Sequence, residues 1–188
     1  MKKVLLVDAS PRKGGNSEIV VDTLAEHLNG CEVTVFKMRE HDCRSCQACA
    51  ACQKKDTQMC VQKDDITPLL PVIDQCDAIV VASPIYNQQI TSLAKLFIER
   101  FYPFFNVEKE NMSNTSKQGK KAALICVCWG RDRDVTQQYA DWTVSGFSQV
   151  GATNTRALVF DGIPGLGEIR NREDYMEQLK ELAGWLSE

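Results

Sequence analysis

Apolar and polar positions along the chain alternate between two rhythms. Val4-Leu5-Leu6-Val7, Asp77 to Ser83 and Lys121 to Cys128 are short, nearly unbroken apolar runs, the pattern of strands buried on both faces of a parallel sheet. Cys31 to Phe36 and Thr153 to Phe160 read as two further strands. Between them, apolar residues recur at helical spacing. Ile19, Val20, Leu24 and Leu28 mark a helix over about Ser17 to Leu28, with Asn16 or Ser17 as its cap and Gly30 closing it. Ile66, Leu69, Leu70 and Ile73 mark a helix starting near Asp64-Asp65, kept short by Pro68 and Pro71. Leu93, Leu96, Phe97 and Phe101 mark a third, Thr136 to Val150 a fourth, and Arg172 to Leu186 the last, facing inward through Tyr175, Leu179, Leu182 and Leu186. Residues 103–118 are polar and rich in Asn and Ser, so a loop is expected there.

Strand and helix thus alternate five times without an internal repeat. That order predicts an α/β fold with a parallel sheet, helices on both faces and right-handed crossovers. Five strands fit the flavodoxin-like order 2-1-3-4-5 better than a six-stranded Rossmann sheet. The topological switch point then falls between the first and third strands, which end at Ser10 and Ser83. The loops after those two strands become neighbours. At 188 residues the chain is read as one domain, 1–188, with a cysteine-rich segment over 42–63 inserted after the second strand.

Composition narrows the partners. A net charge of −3 gives no electrostatic footprint for nucleic acid or an anionic membrane. No apolar run approaches the roughly 18 residues of a membrane span. Met1-Lys2-Lys3 leads directly into a strand, so no signal peptide is expected and the cytoplasm is the expected compartment.

The first loop carries candidate chemistry. Asp8-Ala9-Ser10-Pro11 ends the strand, Gly14-Gly15 loosens the backbone, and a helix begins. Unbonded N–H groups and the positive end of a helix dipole make such a turn an anion site. Ser10, Asn16 and Ser17 add neutral donors, and Arg12 adds charge. GxGxxG and GxxxxGK[ST] are both absent, which points away from a dinucleotide or a nucleoside triphosphate and toward one terminal phosphate. An ordinary polar turn is the competing reading. The rest of such a ligand would lie across Ser83-Pro84-Ile85-Tyr86-Asn87 and Trp129-Gly130. There the amides of Ile85 to Asn87 can bond the polar edge of a flat ring, and Tyr86 or Trp129 can stack on it.

Nine cysteines are many for a cytosolic chain of this size, and five fall between Cys43 and Cys60. In a reducing compartment that density points to a metal or redox site rather than a disulfide frame. Cys43-x2-Cys46-x2-Cys49-x2-Cys52-x7-Cys60 suits iron–sulfur ligation, whereas structural zinc more often uses two distant knuckles. Zinc and unliganded redox thiols stay open. Cys31, Cys76, Cys126 and Cys128 lie in apolar contexts and read as small buried hydrophobes. His27 and His41 are too isolated to nominate as acid or base.

Ser10-Pro11-Arg12 with Gly15-Asn16-Ser17, then Ser83-Pro84-Ile85-Tyr86 and Lys95, resembles the NADPH-dependent FMN reductase group of flavodoxin-like proteins. The cysteine segment running into Lys63-Asp64-Asp65 is similar in particular to the iron–sulfur flavoproteins of that group. The resemblance implies FMN, its phosphate on the Ser10–Ser17 loop and its ring near Ser83–Asn87. Those flavoproteins follow a compact CxxCxxC with a fourth cysteine, which implies Cys46, Cys49, Cys52 and Cys60 as the preferred ligands, or Cys43, Cys46, Cys49 and Cys60. It also implies a homodimer or homotetramer with the ring near a subunit interface. The expected activity is an oxidoreductase passing electrons from NAD(P)H or a protein donor through flavin, by way of a [4Fe-4S] cluster, to a small-molecule or protein acceptor. A flavodoxin-like carrier without a substrate of its own, and a zinc-stabilised interaction domain, are the alternatives.

Overall fold

The computed structural model describes residues 1–54, 60–106, 113–114, 116–130 and 132–188. Strands β1 (Lys3–Asp8), β2 (Glu32–Lys37), β3 (Ala78–Tyr86), β7 (Lys120–Val127) and β8 (Ala152–Phe160) form the parallel sheet in the order β2-β1-β3-β7-β8. This is the expected 2-1-3-4-5 order, counted over the parallel strands. A sixth strand, β4 (Gln89–Ile90), was not expected; it turns back antiparallel on the end of β3. Asn87 and Gln88, both at positive φ (49° and 69°), make the two-residue turn.

The unbroken apolar runs follow from burial on both sides. Leu5 and Val7 of β1 join Ile79, Val81 and Leu124 in one core, beneath α2 (Leu70–Gln75), α3 (Ser92–Glu99) and α4 (Arg133–Ser145). Val4, Leu6, Val80 and Ile125 enter the other, against α1 (Asn16–His27) and α5 (Glu173–Ser187). Phe97, Phe101 and Phe147 meet edge to face in the first core, and Phe160 stacks on Tyr175 in the second.

Local boundaries depart from the sequence reading for identifiable reasons. Gly15 occupies the cap position of α1 and no side chain caps it, so neither Asn16 nor Ser17 is the N-cap. Near Asp64 the chain makes a 3-10 turn, Thr67–Leu69, before α2; the Asp64 carboxylate accepts the Thr67 N–H at 3.0 Å. The helix expected over Thr136 to Val150 begins earlier, where Asp132 accepts the N–H groups of Asp134 and Val135, and passes into a 3-10 turn at Gly146. Within the expected loop 103–118, β5 (Phe105–Asn106) pairs with β6 (Ser113–Asn114), while 107–112 and 115 lie outside the described residues. Among the described residues no helix is long and apolar enough to cross a membrane.

Candidate functional site

Parallel strands all point their carboxyl ends at one rim, and the loops leaving β1, β3, β7 and β8 enclose a cavity of about 250 Å³ there. The β1 loop is held from beneath. Asp8, fully buried, accepts the Ser10 N–H at 3.0 Å and pairs with Arg39. Burial pushes the Asp8 carboxyl above its ordinary range, against the opposing pull of the Ser10 amide and Arg39. Arg39 also reaches Glu18 at 2.7 Å, and Lys37 meets Glu18 at 2.8 Å. Burial opposes ionisation of Glu18, but the bonds from Lys37 and the Gly14 amide outweigh it and leave its pKa lowered. The sequence reading missed this acid–base lattice; the clue was Asp8 at the end of a buried apolar run.

Above the lattice, the Arg12 N–H donates to Ser10 Oγ at 3.2 Å and folds the loop on itself. A Cβ added to Gly15 would stand 3.1 Å from the Arg12 carbonyl and 3.2 Å from Ser10 Oγ, so the backbone passes where only glycine fits without displacement. Ser17 is 1% exposed, lines the cavity, and its hydroxyl has no hydrogen-bond partner among the described residues. A buried hydroxyl left unpaired costs about 1–3 kcal/mol, so such an atom signals a partner outside the chain. Asn16 differs. Its amide donates to the Gly165 carbonyl at 2.8 Å and accepts the Ile169 N–H at 3.2 Å, so the side chain fastens the loop after β8.

The β3 loop contributes Pro84, Ile85 and Tyr86 to the same cavity. Ser83 lies beneath it, fully buried; its hydroxyl donates to the Pro84 carbonyl at 2.9 Å and accepts the Thr91 N–H at 3.1 Å. Thr91 in turn donates to the Ala9 carbonyl at 2.7 Å, stitching the β1 and β3 loops together. Trp129 adds the β7 loop, and an adjoining cavity of about 320 Å³ carries Asn87 and Gly130. Of the twelve residues expected around a cofactor, Ser10, Arg12, Gly15, Asn16, Ser17, Pro84, Ile85, Tyr86 and Trp129 line the first cavity, Asn87 and Gly130 line the second, and Ser83 lines neither. Cys128 borders both, half-buried, and Ile163, Pro164 and Leu166 supply a wall that the sequence reading did not include. Gly162-Ile163-Pro164-Gly165, at the end of the last parallel strand, was its visible signal.

A separate small cavity gathers Cys46, Cys49, Cys52 and Cys60, together with Gln62, Arg100 and Tyr102. Lys55 to Met59, between the third and fourth of these cysteines, lie outside the described residues. Two non-glycine residues in the loop, Ala48 and Ala50, hold φ near 51° and 52°. Each such residue costs roughly 1–2 kcal/mol, so the stretch between Cys46 and Cys52 holds two locally unfavourable reversals. The Ala48 N–H donates to Cys46 Sγ at 3.5 Å. Burial pushes the Cys52 thiol up, and neighbouring Cys60 and Cys46 add to the shift. Cys43 stands apart. Its Sγ donates to the Met38 carbonyl at 3.7 Å, and burial with Asp64, Asp65 and Asp42 nearby pushes its pKa up to about 11. Among the described residues no three His, Cys, Asp or Glu side chains stand close enough to enclose an ion as placed. Of the four scattered cysteines, Cys76 and Cys126 are buried and Cys31 and Cys128 half-buried.

The parallel sheet has the flavodoxin-like order, and the loops leaving β1 and β3 meet at its switch point. Residues 2–156 match the family described as NADPH-dependent FMN reductase, and the chain belongs to that family. It is 33% identical over 104 residues to an iron–sulfur flavoprotein of Archaeoglobus fulgidus, a match covering 54% of this chain and 46% of that protein. The match thus spans about half the length of that relative. Another iron–sulfur flavoprotein, from Methanosarcina thermophila, is 26% identical over 152 residues, covering 79% of this chain and 77% of its own. Among solved structures, the fold is shared with an NAD(P)H:quinone oxidoreductase from Methanothermobacter marburgensis (TM-score 0.72, 17% identity, 97% of this chain and 95% of that one). It is shared equally with an FMN-dependent NADH-azoreductase from Bacillus anthracis in complex with FMN (TM-score 0.71, 16% identity, 100% of both chains).

Proposed function

We propose that the chain is an FMN-dependent oxidoreductase that draws electrons from NAD(P)H or a protein donor and passes them on through a [4Fe-4S] cluster. The observation that carries this reading is Ser17 Oγ, buried and unpartnered where the β1, β3 and β7 loops converge. A phosphate oxygen is the acceptor it lacks. The hydroxyl of Ser10, the N–H groups of the first turn of α1 and the charge of Arg12 complete a cradle for a phosphate dianion. The buried carboxylates beneath that cradle are matched by Lys37 and Arg39, so they do not repel the anion unscreened. Tyr86 and Trp129 offer ring faces, and the Ile85–Asn87 backbone offers donors to a heterocycle's polar edge. Bound FMN supplies the exchange between two-electron and one-electron transfer.

The cysteine-lined cavity fits a cluster by its donor set, since Cys46, Cys49, Cys52 and Cys60 all border it. Cys43, held by a backbone carbonyl among carboxylates, is the fifth cysteine left over. Trp129 and Leu166, 74% and 60% exposed beside the first cavity, support an assembly in which a second copy covers its mouth. The cysteine density supports a reducing, cytoplasmic setting.

Protein purified without oxygen tests the proposal. Flavin bands together with broad absorption near 400 nm, and steady oxidation of NADH or NADPH with an added acceptor, are expected. Flavin without turnover would favour the carrier reading, and a colourless protein indifferent to FMN would overturn both.

A further inference from the structure

Arg100 is the largest fully buried side chain, 1% exposed, at the end of α3. A guanidinium has five N–H donors. Two of them, on Nη1, go to Asp64 Oδ2 and, at 2.9 Å, to the Arg44 carbonyl. Two more, on Nη2, go to Asp64 Oδ1 at 3.2 Å and Thr67 Oγ1 at 2.8 Å. The fifth, on Nε, has no hydrogen-bond partner among the described residues. Arg100 also lines the cysteine cavity, and its guanidinium stands close enough to the Cys60 sulfur to interact with it. Four donors therefore lock the plane of the group, and the unspent one is left for the sulfurs.

We infer that Arg100 is a tuning residue for the iron–sulfur centre, donating a hydrogen bond from Nε to a cluster-bound sulfur, Cys60 Sγ being the one its guanidinium already meets. The inference rests on the reading that Cys46, Cys49, Cys52 and Cys60 hold a cluster. Hydrogen bonds to cluster sulfurs stabilise the reduced, more negative form and raise the reduction potential. Arg100 would thus set how readily the centre accepts an electron, while its ion pair with Asp64 fixes the donor's position. Asp64 is itself held by the Arg44 N–H at 3.1 Å, so the same pair anchors the start of the cysteine loop.

The test uses the whole protein, purified without oxygen, reduced, and carrying arginine labelled with ¹⁵N at Nε only. Pulsed electron paramagnetic resonance of the reduced cluster should show a weak ¹⁵N coupling that disappears in Arg100→Lys. That substitution keeps a positive charge beside Asp64 but removes the Nε donor, and should move the midpoint potential to a more negative value. Failure of the variant to load or fold leaves the wild-type coupling to decide. No coupling in a wild-type protein that contains iron and acid-labile sulfide would overturn the inference while the cluster stands. A coupling or potential unchanged in Arg100→Lys would overturn it equally. Absence of iron from the wild type would overturn the cluster reading itself, and this inference with it.

Discussion

Arg12 and Tyr86, which leave two different strands, meet across the mouth of the first cavity: Arg12 Nε donates to the Tyr86 phenol at 3.1 Å. The guanidinium carbon also lies 5.7 Å from the ring centroid. The contact joins the charge of the anion loop to the aromatic face of the ring loop. Both side chains are exposed enough to turn toward a ligand. Removing the charge in Arg12→Ala should weaken FMN binding by about 10- to 100-fold, the equivalent of roughly 1.5–3 kcal/mol for a hydrogen bond to a charged group. Riboflavin, which lacks the phosphate, should bind the variant and the wild type alike. Flavin fluorescence quenching measures both.

Ser17 gives a prediction of opposite signs in the two states. In flavin-free protein its hydroxyl has no partner to lose, so Ser17→Ala should leave stability unchanged or raise it by about 1 kcal/mol. FMN affinity should fall by about tenfold, the worth of one hydrogen bond to a charged acceptor. Thermal unfolding with and without FMN checks the two halves together. A variant that destabilises flavin-free protein and binds FMN normally would mean the hydroxyl serves the fold.

The Asp64–Arg100 pair makes stability depend on pH in a stated direction. Burial raises the Asp64 pKa, but bonds from Arg100, the Arg44 amide and Thr67 prevail and bring it down to about 2. The unfolded carboxyl titrates near 3.9, so the pair's contribution is complete above about pH 4 and is lost as the pH falls toward 2. The difference corresponds to about 2–3 kcal/mol. Urea unfolding of Asp64→Asn should show a penalty at pH 7 that shrinks markedly near pH 2.5; equal penalties at both pH values would contradict this assignment.

The ligand set is open to a direct comparison. Cys49→Ser or Cys60→Ser should lose most of the iron and acid-labile sulfide of anaerobically purified protein, and Cys43→Ser should retain them. Retention in Cys60→Ser with loss in Cys43→Ser would point to a different arrangement of the loop.

Much of this architecture could be read from the chain, because a strand buried on both faces leaves an unbroken apolar run and a covering helix leaves a periodic one. The runs at Val4–Val7 and Asp77–Ser83 were enough to bring the Ser10 and Tyr86 loops to one rim. What the chain did not reveal depends on contacts between distant residues. Asn16 lines the cavity as expected, but its side chain also bonds Gly165 and Ile169, roughly 150 positions away, a fastening that the local sequence does not show. Ser83 looked like part of the cavity wall, yet its hydroxyl faces Thr91 below it. Left-handed Ala48 and Ala50 could not be anticipated either, since alanine gives no sign of that conformation.

The most direct single measurement is calorimetric titration of flavin-free protein with FMN and, in parallel, with riboflavin. One FMN per chain, bound about 100-fold or more tightly than riboflavin, is the expected result for a rim built to grip a terminal phosphate. Equal affinities for the two flavins, or no heat with either, would contradict a phosphate cradle between the loops of Ser17 and Tyr86.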